Sequence, residues 1–267
     1  MLGVLMHIGM DLPTSYGTRL LSPFDWRWFA LDWVPIVDIY LLFALGAALV
    51  FGGVSASARR RNAAIALALL ALNYGIRGVA HHEALSVAPR LFGPTLPQPC
   101  DPNGAQPSSI DFWPRPVAAT FRDPAVRPCL VELAAVPTFL SPLRWRVIAQ
   151  LSNAYEIQDI DLLDSTFRTP ANAAQAPRRR TLRIPNVWTD AVHTAAATRS
   201  AKLFLGFSRF PAARSVADPA GVAIVRWTDV RFVGGITTLE QPSRNAGPFA
   251  LTIRTHPDGR IEEELTR

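Results

Sequence analysis

His7 to Asp38, HIGMDLPTSYGTRLLSPFDWRWFALDWVPIVD, decides how the whole chain is read, because it crowds a histidine, several aspartates and many aromatic rings into the approach to a long apolar run. Ahead of it lies only the apolar Met1 to Met6, and Met1 to Met10 together read as the tail of a helix. That stretch is shorter than the roughly twenty residues a bilayer crossing needs, and it has neither the basic n-region nor the Ala-x-Ala-like site of a signal peptide. His7 and Asp11 are four residues apart, so on a helix they share a face and reach either one metal ion or each other. Pro13 ends the helix by removing a backbone donor, and Thr14 to Gly17 makes a turn. From Leu20 to Trp33, the rings of Phe24, Trp26, Trp28, Phe29 and Trp33 are interspersed with Asp25, Arg27 and Asp32. This mixture is typical of a membrane interface, so the segment is expected to lie along the bilayer surface.

Val34 to Val54 follows with a single charge, Asp38, and is long enough to cross hydrocarbon. A carboxylate one turn into such a helix is costly unless it is paired or faces a polar cavity, which makes Asp38 a candidate site residue. Arg59, Arg60 and Arg61 form the one strong basic cluster beside a membrane segment, and such loops stay cytoplasmic. The first span therefore runs from outside to inside, and Ala63 to Ala80 returns through the membrane. Arg77, near the outer end of that return, is placed to snorkel or to meet the acids of the opening stretch. His81 and His82 point to different faces, so at most one of them joins His7 and Asp11.

Leu91 to Pro128 is too rich in proline for a helix or central strand and reads as a linker or irregular wrap. Cys100 within it and Cys129 just past its end are far from any metal-binding or redox spacing. A disulfide between them would need an oxidising compartment, and two buried thiols are the alternative. From Arg144 the pattern becomes short strands. Trp145 to Ala149 and Ala154 to Asp161 alternate with period two around Ser152-Asn153, as in a hairpin. Ala223 to Phe232 alternates likewise, and Phe249 to Thr255 pairs with Arg260 to Leu265 across the His256-Pro257-Asp258-Gly259 turn. Thr189 to Phe207 reads as the one main helix, and Thr169 to Pro185 as a loop. Within this region there is no nucleophile elbow, phosphate loop or His-Glu-x-x-His. His193 and His256 stand alone, and Asp159, Asp161 and Asp164 are more simply solvated than metal-binding.

Of the 267 residues 49% are apolar, so burying a core is no difficulty, and the formal net charge is +6. The basic residues are almost all arginine, Lys202 being the lone lysine, and they are scattered apart from Arg59 to Arg61 and Arg178 to Arg180. No continuous basic stripe with interleaved aromatics is present, so nucleic acid is not an expected partner and the lipid bilayer is.

Several of these stretches also carry a resemblance. His7-Ile8-Gly9-Met10-Asp11-Leu12, Thr14 to Arg19, Ser22-Pro23-Phe24, Phe29 to Val34 and Ile36-Val37-Asp38, followed downstream by Ser141 to Val147 and Phe204 to Pro211, are similar to the bacterial membrane-bound metal-dependent hydrolases. These are also described as LexA-regulated inner-membrane hydrolases. Family members begin with a further membrane segment bearing a His-Arg-x-x-Thr-His-Ser type motif, so the resemblance implies a chain lacking the family's N-terminal portion. It also implies a hydrolase with His7 and Asp11 as ligands of a divalent metal ion and Asp38 as a further ligand or general base, at the outer membrane face. The expected fold is α+β: residues 1–90 form a membrane domain of two full spans plus a partial N-terminal helix, 91–140 a Pro-rich linker, and 141–267 a small antiparallel β-rich domain with one main helix. The expected location is the bacterial inner membrane, multi-pass, with the C-terminal domain periplasmic. The alternative is a non-catalytic membrane-anchored protein whose C-terminal β domain binds a partner.

Overall fold

The N-terminal helix forms as α1 (Leu2–Asp11), and the chain then turns back on itself before reaching any membrane-length element. The computed structural model describes residues 2–51, 56–92, 96–100, 110–114, 127–164, 181–233 and 249–266. After α1 the backbone runs beside a later part of the same stretch. Leu31 N–H donates to the Leu12 carbonyl, and the Trp33 and Val34 N–H groups both donate to that of Pro13. The turn between these runs depends on Gly17, whose φ is +80°. A Cβ there would meet the Trp113 ring at 2.6 Å and the Phe29 carbonyl oxygen at 2.8 Å, so only glycine admits the close approach.

Of the two full spans expected, one is present among the described residues. The helix over Val34 to Val54 begins only at Ile39, giving α2 (Ile39–Phe51) its 13 residues. Val34 is instead buried and bridged to Thr14. Asp38 Oδ1 accepts from the N–H groups of Tyr40 and Leu41 at 2.9 and 3.0 Å, which caps the helix and fixes its start. The return helix, α3 (Ala56–Phe92), has 37 residues and is long and apolar enough to cross a membrane. At 1.5 Å per residue it extends roughly 55 Å, against a hydrocarbon core of about 30 Å, so its far end stands clear as a post for the rest of the chain. It continues past Ala80, where the apolar run ends, because Ala80, Ala84, Ala88 and Phe92 form a buried stripe at helical spacing. Pro89 falls in the last turn, so the backbone donor it lacks is lost only at the very end of the helix.

Two four-stranded antiparallel sheets follow. In the first, β3 (Leu130–Pro137), β4 (Arg144–Leu151), β5 (Ala154–Asp161) and β6 (Leu182–Pro185) lie in sequence order; the second runs β7 (Pro211–Ala217), β8 (Ala223–Asp229), β9 (Ala250–Thr255), β10 (Ile261–Thr266). The β4–β5 and β9–β10 hairpins form across the expected turns. A further two-stranded sheet pairs β1 (Trp28–Ala30) with β2 (Asp111–Trp113), so part of the expected membrane-surface segment is instead built into the β structure. Cys100 and Cys129 are joined by a disulfide.

Burial organises these elements into four layers. The end of α3 packs on one face of the first sheet through Leu133, Trp145, Val147 and Ile160. The other face, with Ala134, Ile148, Tyr155 and Ile157, meets Phe210, Ala212 and Val230 of the second sheet region. The outer face of the second sheet, with Val225, Trp227, Leu251 and Ile253, is covered by two helices, α4 (Asp190–Ala196) and α5 (Arg199–Phe207). The single main helix expected over Thr189 to Phe207 is therefore broken in two. Thr198 interrupts it by capping α5, its hydroxyl accepting from Ala201 N–H at 3.3 Å, as Thr189 caps α4. Strand β6 occupies the end of the stretch expected to be loop, while residues 165–180 lie outside the described ones.

Candidate functional site

His7 and Asp11 meet as the helical spacing predicts. The Nε2 of His7 lies 3.3 Å from the Oδ2 of Asp11, with side chains 78% and 38% exposed. Asp11 stands at the last turn of α1, and the Thr14 hydroxyl donates to its carbonyl oxygen at 2.6 Å. The backbone ties from Leu12 and Pro13 to residues 31–34 then anchor that end of the helix. One imidazole nitrogen and one carboxylate oxygen therefore converge in the open, the donor types a divalent metal takes. This fits two ligands of a metal site. No cluster of three or more His, Cys, Asp or Glu with metal-binding geometry occurs among the described residues, so the pair is an incomplete set.

Asp38 stands apart from that pair. Beyond capping α2, it places Oδ2 at 2.8 Å from Arg77 Nε and 3.3 Å from Asn73 Nδ2, and the carboxylate and guanidinium are both essentially excluded from water. Arg77 Nη1 and Nη2 meet no acceptor among the described residues, and the Tyr40 ring lies 5.9 Å from the guanidinium carbon. Asp38 thus works at once as cap and counter-ion, holding the start of α2 to the middle of α3, and no hydrogen bond or ion pair joins it to His7 or Asp11 among the described residues. Of the other histidines, three have local partners. His81 is buried beside Trp145, ring centroids 5.4 Å apart, while His82 is exposed. His193 packs on Trp188, and His256 pairs with Glu262 at 3.1 Å. Asp159 and Asp161 face Arg146 and Arg144 directly across β4 and β5, which accounts for their alternation without a metal.

The most concentrated charge lies elsewhere, around Arg209. Its guanidinium contacts Asp32 at 2.5 Å, Glu132 at 2.6 Å and Asp111 at 2.9 Å, with all four side chains buried. Asp32 holds a φ of +56°, uncommon for a residue with a Cβ, to deliver its carboxylate inward, and its Oδ1 has no hydrogen-bond partner among the described residues. Burial raises the Asp32 pKa and Asp111 adds to the shift, while Arg209 opposes it. Burial also works against the Arg209 charge, but Asp111, Asp32 and Glu132 outweigh it and hold the guanidinium well above its usual range. Beside this cluster Arg231 binds Asp229, which also accepts from the Ser208 hydroxyl at 2.8 Å, and donates to the Ser15 carbonyl at 2.7 Å. Trp113 fits between the two arginines, 5.6 and 5.2 Å from their central carbons, and donates its indole N–H to the Phe207 carbonyl at 2.7 Å. This assembly pins the turn after α1, β1, β2 and both sheets to one another. Motif reading passed it over, although one signal was available: Asp32, Glu132 and Arg209 are each a lone charge within an apolar or aromatic setting.

Residues 1–84 match the family model described as YdjM inner membrane protein. No curated protein and no solved structure matches the chain. The similarity therefore covers α1, the anchored turn, α2 and all but the last turns of α3, and together with the length and apolarity of α3 it supports association with the inner membrane.

Proposed function

We propose that this chain is a multi-pass protein of the bacterial inner membrane and a metal-dependent hydrolase whose site lies at the outer membrane face, with His7 and Asp11 as two ligands of a divalent ion. The observation that carries this reading is the 3.3 Å convergence of imidazole and carboxylate on the exposed face of α1, inside the segment similar to an inner-membrane family. The Arg59 to Arg61 cluster supports the orientation, since basic loops stay cytoplasmic; α3 then carries the two-sheet domain to the periplasmic side. The Cys100–Cys129 disulfide suits that compartment.

His7 and Asp11 would hold the ion from one side, as two of its ligands. The ion supplies Lewis acidity toward an ester or phosphoester and toward water. On the protein side, the ties from Leu12 and Pro13 to residues 31–34 fix the end of α1 and so fix the direction in which both ligands point. We leave Asp38 out of the ligand set, because recruiting it would break both a helix cap and a buried ion pair. A site at this depth suits lipid-linked or membrane-proximal esters.

The test is elemental analysis of the detergent-purified chain beside His7→Ala and Asp11→Ala, with ester and phosphoester hydrolysis assayed on the same samples. Near-stoichiometric metal that is lost in both variants, together with activity that follows it, is the expected result. The two-ligand count favours one other reading, a non-catalytic membrane-anchored protein whose extracytoplasmic domain binds a partner. A wild-type chain that takes up no metal would overturn the hydrolase reading and leave this one as the working account.

A further inference from the structure

The α2–α3 hairpin encloses a feature unrelated to the metal pair. Antiparallel packing is fixed at both ends of the hairpin: Asp38 meets Arg77 and Asn73 at one end, and Asn62 Nδ2 donates to the Phe51 carbonyl at 2.9 Å at the other. Between these ties the helices leave an open groove of about 1230 Å³. Its α2 wall is hollowed by small residues, Ala44, Ala47 and Ala48, and its α3 wall carries Ile65, Leu69 and Leu72. These three α3 side chains are roughly half exposed, so no protein element covers the groove among the described residues.

The two ends of the groove differ chemically. At the outer end the polar side chains that line the groove are engaged within the protein: Tyr40 donates its hydroxyl to the Leu140 carbonyl at 2.9 Å, Asn73 is bonded to Asp38, and Pro142 closes the floor. At the inner end Arg61 lines the groove with no ion pair among the described residues, and Arg59 and Arg60 lie beside it in the chain. From Arg61 to Ile76 the α3 wall is roughly 22 Å long at 1.5 Å per residue, the length scale of an extended acyl chain. An occupant that satisfies this arrangement has a long apolar body and an anionic head at one end only.

We propose that the α2–α3 groove is a binding site for one anionic phospholipid of the cytoplasmic leaflet, an acyl chain lying between the helices and the phosphate on Arg61. Basic pockets between membrane helices on the cytoplasmic side are suited to anionic head groups, and the Arg59 to Arg61 run adds long-range attraction. A transmembrane helix of a second copy would fill the apolar walls but leave Arg61 without a counter-charge. The proposal rests on the membrane placement of α3 and is independent of the metal pair.

The test is native mass spectrometry of the full chain released from nanodiscs holding equal amounts of phosphatidylglycerol and phosphatidylcholine. A retained one-to-one phosphatidylglycerol adduct is expected, favoured over phosphatidylcholine by roughly fivefold, the effect of one basic residue at a lipid head group. Arg61→Gln should abolish the preference, Arg59→Gln, outside the groove lining, should keep it, and Ala47→Leu should weaken retention of both lipids. Equal effects of the two arginine substitutions would overturn the site in favour of diffuse surface charge. A chain that carries no adduct but runs as a dimer would overturn it in favour of helix pairing. Because metal plays no part in the readout, failure here leaves the hydrolase reading untouched, and loss of that reading leaves this one standing.

Discussion

Two aspartates of the same short stretch of sequence, Asp11 and Asp32, meet opposite fates. Asp11 faces His7 at 3.3 Å on an open helix surface, while Asp32 faces Arg209 at 2.5 Å where both side chains are excluded from water and two further carboxylates crowd in. In the open, a pair can exchange its partner for water or a metal at little cost. Once buried, a pair is committed to architecture, because removing either member strands a desolvated charge. Asp38 belongs with the second kind, although its place at the start of an apolar helix makes it resemble a site residue. Water access therefore separates candidate chemistry from scaffold better than residue type does.

The widest way to break this contrast is to remove the hub. Arg209→Met leaves Asp32, Asp111 and Glu132 facing one another without a cation, and the expected cost is about 3–5 kcal/mol, the range for stripping one partner from a buried ion pair. Urea titration in detergent, followed by tryptophan fluorescence, reads the loss directly, since Trp113 packs against Arg209 itself. A loss under about 1 kcal/mol, as an exposed pair gives, would mean that the cluster is not what holds the N-terminal stretch to the sheets.

Next in size is Asp38. Asp38→Ala removes both a helix cap and the counter-ion of Arg77, and about 3 kcal/mol or more should go with them. Asp38→Asn keeps a capping oxygen and loses the charge, so it should recover about 1 kcal/mol, the worth of the cap. Limited proteolysis at the α2–α3 hairpin distinguishes the two variants. If both behave alike, the cap contributes nothing and the ion pair alone sets the helix start.

How much of this was legible in the sequence depended on distance along the chain. The β4–β5 and β9–β10 hairpins could be read from alternation around short turns, because both strands and their connection fall in one window. The His7–Asp11 pair was legible for the same reason, being one helical turn apart. Arg209 finds its partners 177 and 77 residues away, and no periodicity links Asp32 or Glu132 to it. Helix extents failed where a polar residue competed with an apolar run. Asp38 sets the start of α2 within the run, and α3 continues beyond its apolar part because the sheet supplies a second apolar surface for Ala84, Ala88 and Phe92. The division of Thr189 to Phe207 into two helices turned on a single hydroxyl, that of Thr198, which propensity alone does not reveal.

A gentler test of the buried side uses protons. The Asp32 pKa is raised in the fold, chiefly by burial, so above the ordinary carboxylate value the native state binds more protons at this group than the unfolded chain does. Its contribution to stability is therefore fully present below the unfolded value of 3.8 and is lost as pH rises through the raised folded value. Asp32→Asn cannot titrate and should lack that component, so the difference in stability between variant and wild type should move in the variant's favour from pH 4 upward. Denaturation midpoints taken at intervals from pH 4 to 8 test the sign. A difference that stays flat across this range would mean that Asp32 is ionised at every pH tested, with Arg209 fully offsetting its burial.

The smallest expected effect on stability sits on the exposed pair, and that is what makes it informative. His7 packs against little and its partner is open to water, so His7→Ala should leave the denaturation midpoint of the metal-free chain within the spread of ordinary surface substitutions, about 0.5 kcal/mol. With a divalent ion present, wild type should gain stability by linkage, on the order of 2.7 kcal/mol at a hundredfold excess over the dissociation constant, and the variant should gain nothing. Titrating zinc or manganese into both proteins while following the midpoint separates a ligand from a structural residue without any assumption about substrate. A wild-type midpoint that ignores the metal would reduce the pair to a surface contact, and the contrast with Asp32 would then lie only in burial and no longer in chemistry.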